Sequence, residues 1–157
     1  MRTATLFPRS LGPGFFLPVA QGFSTIGNSV ANRWGLGYMK SLLLVAHGSR
    51  REASNEEVRQ LTAQLGAHAG NRYQSVSCAF LELAEPSIPD GIEACIQEGA
   101  EEVIVLPYFL SAGRHVQEDI PREVAAKQQE YPEIPIRLAP YLGSAEGIAE
   151  LLLGVAE

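Results

Sequence analysis

A chain of 157 residues with 46% apolar content holds enough material for one buried core, and no run approaches the ~18 unbroken apolar residues of a membrane-spanning helix. The net charge of −6 is unevenly placed: residues 1–38 carry Arg2, Arg9 and Arg33 and no acid, whereas residues 39–157 carry nine Lys and Arg against eighteen Asp and Glu. That acidic body argues against nucleic acid as a partner, and two cysteines outside any CxxC spacing, Cys78 and Cys95, read as buried free thiols in a reducing, cytoplasm-like compartment.

Residues 1–38 are rich in Gly, Ser and Pro and keep neither helical nor strand periodicity. They read as a poorly ordered extension without a catalytic part. Three origins compete. The start codon could be assigned too early, since Met39-Lys40 before a strand is a natural beginning. The segment could instead direct import into an organelle such as a plastid, or form a functional arm. The main domain is expected over residues 39–157.

Leu42 to Ala46 is an uninterrupted apolar run, the pattern of a strand buried on both faces of a parallel sheet. It stops at His47-Gly48-Ser49-Arg50-Arg51. Ser54-Asn-Glu-Glu57 fits a capping box, so a helix is expected from there, with Val58, Leu61 and Leu65 on one face and Gly66 and Gly70 ending it. Residues 75–82 alternate as a second strand ending at Glu82. Glu85-Pro86 opens the next helix, whose apolar stripe is Ile88, Ile92, Cys95 and Ile96. Val103 to Leu106 is a third buried strand, closed by Pro107. A loop with Ser111-Ala-Gly113 leads to a helix bearing Val116, Ile120 and Val124, disturbed by Pro121. Residues 135–139 form a weaker fourth strand. Ser144 caps a last helix with Ile148, Leu151, Leu152 and Val155 facing inward.

The order βαβαβαβα, with connections suited to right-handed crossovers, predicts an α/β three-layer sandwich: a four-stranded parallel sheet flanked by helices, Rossmann-like in topology. In such sheets ligands meet the carboxyl ends of the strands. Those ends deliver His47, then Glu82, then the loop carrying His115. Two imidazoles and a carboxylate at one rim suit Fe²⁺, Co²⁺, Ni²⁺ or Zn²⁺, and the lack of thiolate counts against a tight structural site. Each residue also has a bland reading, as a loop cap, a polar helix start or a solvated strand end. Their joint appearance at three consecutive strand ends favours the chemical one. Glu85 either serves the helix N-terminus or shares the duty of Glu82, and His68, late in a helix, reads as structural. No P-loop, no GxGxxG after the first strand and no GxSxG is present. Ala46 stands where a histidine phosphatase needs Arg before His-Gly.

Three segments resemble the sirohydrochlorin chelatase family (CbiX/SirB type, class II chelatases): Leu42 to Arg50 with His47-Gly-Ser, Ala79 to Ile88 with Glu82 and Glu85-Pro-Ser, and Val105 to Pro121 with Ser111-Ala-Gly-Arg-His115 and Glu-Asp-Ile-Pro. The resemblance spans nearly all of 39–157. It implies a parallel α/β fold and insertion of Fe²⁺ or Co²⁺, as substrate and with no permanently bound cofactor, into sirohydrochlorin on the route to sirohaem or cobalamin. It also implies a homodimer of short chains, with neither nucleic acid nor membrane as partner.

On that reading neutral His47 and His115 hold the ion transiently and accept a proton, imidazole titrating near pH 6.5. Glu82 orients a histidine or takes part of the charge. Arg50, Arg51 and Arg114 are expected to receive the carboxylates of the tetrapyrrole, with Ser111 as a further contact. Tyr108 and Phe109 could wall the ring, whereas Phe80 reads as core. A non-catalytic metal or tetrapyrrole carrier, or nickel insertion into a related tetrapyrrole, are the competing functions.

Overall fold

The computed structural model describes residues 39–157; the expectations for residues 1–38 lie outside the described residues. The strands are β1 (Lys40–Ala46), β2 (Ser75–Phe80), β3 (Glu102–Pro107) and β4 (Ile136–Leu138). They alternate with the helices α1 (Glu52–Ala69), α2 (Ile88–Gln97), α3 (Ile120–Glu130) and α4 (Ile148–Ala156). All pairings are parallel, in the order β2-β1-β3-β4. The α/β sandwich expected from the periodicity is therefore the fold.

Strand alternation sorts the side chains of the sheet. Leu43 and Val45 on β1, Ala79 on β2 and Val103 and Val105 on β3 pack into one cluster with Ile88, Ile92 and Cys95 of α2 and Ile120 and Val124 of α3. Helix α2 approaches the sheet so closely that a Cβ at Gly91 would lie 2.9 Å from the Cβ of Ala79. Lys127 joins the two helices of this layer, its Nζ lying 2.6 Å from Glu93 Oε2, while the Tyr131 hydroxyl donates to Glu93 Oε1 at 2.6 Å. Helix α1 covers the opposite face against β2.

Several local expectations fail for identifiable reasons. Helix α1 begins at Glu52, two residues before Ser54, and its N-cap, Arg51, makes no side-chain capping bond. Asn55, inside the supposed capping box, is instead buried beneath the turn after β1. Its Oδ1 accepts from Ser49 N at 2.9 Å, and its Nδ2 donates to the Ser49 carbonyl at 2.9 Å and to Glu52 Oε2 at 3.1 Å. Helix α2 opens at Ile88 rather than at Pro86, capped by Ser87, with a cis peptide between Glu85 and Pro86. Strand β2 ends at Phe80, not Glu82. Its hydrogen bonds to β1 nevertheless run on, from Leu81 N to the Ala46 carbonyl at 2.9 Å and from Glu82 N to the His47 carbonyl at 3.0 Å.

Around Pro121 the third helix is indeed irregular: Val116 lies in a π-helical turn over His115–Asp119, and α3 proper starts at Ile120 with the proline in its first turn. Ser144 ends a short 3₁₀ turn, and Gly147 in the left-handed region precedes α4. Leu151, Leu152 and Val155 are exposed, contrary to the expected inward face. With apolar residues nearly all round α4, periodicity names no single side to bury. Cys95 is buried as expected, but Cys78 is only half-buried.

Two residues fix the turn that carries His47. Gly48 has φ +91°, and a Cβ there would lie 1.8 Å from the Glu82 carbonyl oxygen, a backbone atom that no rotamer change can move away. Gly48→Ala is accordingly expected to cost at least about 1–3 kcal/mol. Asn55→Ala, which orphans the Ser49 backbone groups, is expected to cost about 1–3 kcal/mol. Urea unfolding of both variants checks these values. Lys127 and Tyr131 hold the Glu93 carboxyl below its usual range. A carboxyl lowered in the folded state stabilises above its unfolded value and loses that contribution as pH falls through the folded one. Glu93→Gln is expected to lower the melting temperature at neutral pH and to narrow the gap from wild type as the buffer is taken into the acid range.

Candidate metal and tetrapyrrole site

The strand ends place the expected residues together. His47 follows directly on β1, Glu82 lies at the end of the ladder that continues β2, and His115 heads the π-helical turn after β3. The two imidazole rings stand edge to face, centroids 5.0 Å apart and planes at 79°. Glu82 Oε1 lies 3.4 Å from His47 Nε2, with both side chains about half exposed. Among the described residues no group of three His, Cys, Asp or Glu side chains is arranged to hold a metal ion; the rim brings together the two imidazoles and, beside His47, one carboxylate.

The partners of the two rings decide where a proton can sit. His47 Nδ1 lies 3.1 Å from the Gly48 carbonyl and His115 Nδ1 lies 2.9 Å from Asp119 Oδ2. Carbonyl and carboxylate oxygens only accept, so the neutral His115 ring carries its proton on Nδ1 and keeps the Nε2 lone pair, whereas the His47 ring has an acceptor at each nitrogen, the Gly48 carbonyl at Nδ1 and the Glu82 carboxylate at Nε2. A lone pair facing the Glu82 carboxylate is a repulsive arrangement unless a positive charge enters between them. The edge shared by His47 and Glu82 is therefore a place for a proton or a metal cation.

Behind His115 lies a polar hollow of about 240 Å³ lined by Leu81, Glu82, His115, Asp119, Arg122 and Glu123. The His115 ring N–H and the Arg122 guanidinium hold the Asp119 carboxyl below the usual carboxylate range. Burial pushes the Glu123 carboxyl up. Sequence reasoning missed Asp119, Arg122 and Glu123. The spacing of Asp119 four residues after His115, with Arg122 three further on, is a helical signal that Pro121 obscured.

The other candidates are dispersed. Arg50 and Arg51 are exposed on the turn leading into α1, and Arg114 is 76% exposed, its Nε 3.4 Å from Glu118. Ser111 is exposed in the loop after β3. Tyr108 is 40% exposed and lines a second hollow with His47, Gly48 and Phe80, whereas Phe80 itself is fully buried and Phe109 packs on the core. Glu85 turns away to its own loop, its Oε2 accepting from Ser87 N at 3.1 Å, and the exposed His68 engages the Gln64 carbonyl one turn back in α1.

Several known proteins are similar to this chain in sequence and fold. A sirohydrochlorin ferrochelatase of Arabidopsis thaliana, described as chloroplastic, is 38% identical over 109 residues, covering 69% of this chain and 48% of the relative. The sirohydrochlorin chelatase SirB from Bacillus subtilis subspecies spizizenii, solved in complex with cobalt, superposes with a TM-score of 0.66 at 32% identity, covering 74% of this chain and 49% of that one. A CbiX protein from Marinobacter aquaeolei VT8 superposes with a TM-score of 0.63 at 29% identity, covering 74% of this chain and 93% of that one. The chain spans about half the length of the first curated relatives it matches. The CbiX family model matches residues 41–156, and the chain belongs to the CbiX family.

Proposed function

We propose that this chain inserts Fe²⁺ or Co²⁺ into sirohydrochlorin, the metal entering as substrate. The observation that carries the reading is the pairing of two imidazoles 5.0 Å apart with the Glu82 carboxylate on the open carboxyl rim of the sheet. Support comes from the relatives: one is a sirohydrochlorin ferrochelatase and another a sirohydrochlorin chelatase solved with cobalt.

Insertion balances one incoming dication against two departing pyrrole protons. The Nε2 lone pairs of His47 and His115 replace water on the ion for as long as it takes the ring nitrogens to displace them. Glu82 neutralises part of the charge and, with the released imidazoles, accepts the protons. Few ligands and an open face suit passage, whereas a closed shell would retain the ion. Sirohydrochlorin is a polycarboxylate, so an acidic domain needs local cations to receive it. Arg50, Arg51 and Arg114 stand on the two turns that bear the histidines and supply them, with Ser111 at the edge and Tyr108 offering an apolar wall.

Purified chain at substoichiometric concentration, mixed with sirohydrochlorin and in turn with Fe²⁺, Co²⁺ and Ni²⁺, is expected to drive many turnovers of the absorption change with iron or cobalt. His47→Ala is expected to lose at least about 100-fold in rate, general acid–base groups alone contributing about 10²–10⁴. A single stoichiometric change without turnover would instead identify a carrier, and turnover with Ni²⁺ alone a nickel chelatase.

A homodimer and a reducing, cytoplasmic setting belong to the same reading. Two copies would supply the length that one long relative holds, and Leu151, Leu152, Leu153 and Val155 offer an exposed apolar surface for a second copy to cover. Both thiols are free, which suits a reducing compartment. The chloroplastic relative keeps plastid import as the competing location. Light scattering of the full chain is expected to give twice the chain mass. A monomeric mass would remove the dimer and leave the chemistry standing.

A further inference from the structure

We propose that Asp119 and Arg122 form a tautomer lock on His115, an acid–guanidinium pair that fixes which ring nitrogen carries the proton and so keeps Nε2 available to the incoming metal. The inference rests on the metal-insertion reading for its purpose, but its geometry stands alone. Asp119 Oδ2 accepts from His115 Nδ1 at 2.9 Å, and Asp119 Oδ1 accepts from an Arg122 terminal nitrogen at 2.9 Å. Both oxygens are committed, so the carboxylate cannot swing away without breaking one bond. Asp119 is also the most enclosed of the three side chains, 15% exposed against 42% for His115 and 65% for Arg122.

Arg122 makes the lock directional. A guanidinium only donates, so whatever faces it from position 119 must be an acceptor. In the native chain either carboxylate oxygen satisfies that demand and the other faces the histidine. In Asp119→Asn the shape is kept, but there is one acceptor oxygen. Arg122 takes it, the amide NH₂ turns to His115 Nδ1, and Nδ1 must now accept. The proton then sits on Nε2 and removes the lone pair from the open side. Among the described residues His47 has no such device; its Nδ1 meets the Gly48 carbonyl at 3.1 Å. Glu82 and Glu123 line the same hollow, but no hydrogen bond joins either to the His115 ring among the described residues.

Asp119 and Arg122 are thus positioning residues, and the test reads the tautomer directly. In ¹⁵N-detected spectra of the full chain, recorded at a pH where the rings are neutral, the three histidines are assigned by single His→Gln variants. Native His115 is expected as the Nδ1–H form and Asp119→Asn as the Nε2–H form. Asp119→Asn/Arg122→Met, which frees the amide to offer its oxygen to the ring, is expected to return His115 toward Nδ1–H. Asp119→Ala, which offers no acceptor, is expected to relax to Nε2–H and serves if the Asn variant does not fold. Metal insertion by Asp119→Asn is expected to fall about 10–100-fold, the usual effect of removing a group behind a metal ligand, and to recover in part in the double variant. Native His115 in the Nε2–H form, an unchanged Nδ1–H form in Asp119→Asn, or a double variant that stays Nε2–H would overturn the lock. If the native chain turns over no metal, the functional reading fails while the spectra still decide the lock.

Discussion

The hydrogen-bond ladder between β1 and β2 does not stop where the strands do, and the whole site depends on that overrun. Ala46 and His47 each give a carbonyl to the next backbone N–H of the other strand, Leu81 and Glu82. Two residues separated by 35 positions are thereby held as neighbours through main-chain bonds, before any side chain contributes. Gly48 is the condition for it. The Glu82 carbonyl occupies the space where a Cβ would be, so the approach exists only because position 48 has no side chain. Asn55 then closes the turn from below through both backbone groups of Ser49. His47 thus projects from a backbone fixed on two sides, while its ring stays half exposed at the open rim.

The parts of this arrangement that were legible in the sequence are those set by patterns of apolar residues. A run such as Leu42 to Ala46 has one comfortable place in an α/β protein, and three such runs with helices between them leave little choice of topology. His47, Glu82 and His115 followed because strand ends are where that topology exposes chemistry. What escaped was short-range competition between equally good uses of one residue. Ser54 and Glu57 satisfied the pattern of a cap, yet the helix had already begun at Glu52, and Asn55 between them was drawn to the turn after β1. Asp119 read as one more acid in an acidic domain. Its significance lies in an angular relation to His115 that appears only when residues 115–119 are wound into a turn. Helix α4 failed in the opposite sense, because too many apolar residues leave periodicity nothing to distinguish.

On the proposed function, charge explains how one rim could serve two unlike substrates. A domain with eighteen acids to nine bases beyond residue 38 favours divalent cations near its surface and disfavours a polycarboxylate. Four arginines interrupt that field where it would otherwise exclude the macrocycle: Arg50 and Arg51 after β1, Arg114 beside His115, and Arg122 in the hollow behind it. Arg50, Arg51 and Arg114 are exposed, Arg114 pairing along the surface with Glu118. Arg122 differs, since its terminal nitrogen is engaged with Asp119, and it contributes its charge to the site through that acid.

The two histidines then stop being equivalent. Both present Nε2, but His47 is backed by a neutral carbonyl and His115 by a carboxylate. A carboxylate behind an imidazole raises its basicity as a ligand, while a carbonyl does so far less. On the proposed function, an ion entering this rim would meet two unlike nitrogen donors, one backed by a carboxylate and one by a carbonyl, with Glu82 beside the latter, 3.4 Å from His47. Unequal donors are what a transfer site requires. On the same proposal, a donor that let go first would open the ion to the ring nitrogens while the other kept it from returning to water. Equal donors of either strength would lose that order: two weak ones release the ion to solvent, and two strong ones hold it against the macrocycle. The asymmetry comes from a single acid one turn along the chain from His115 and the arginine that holds it.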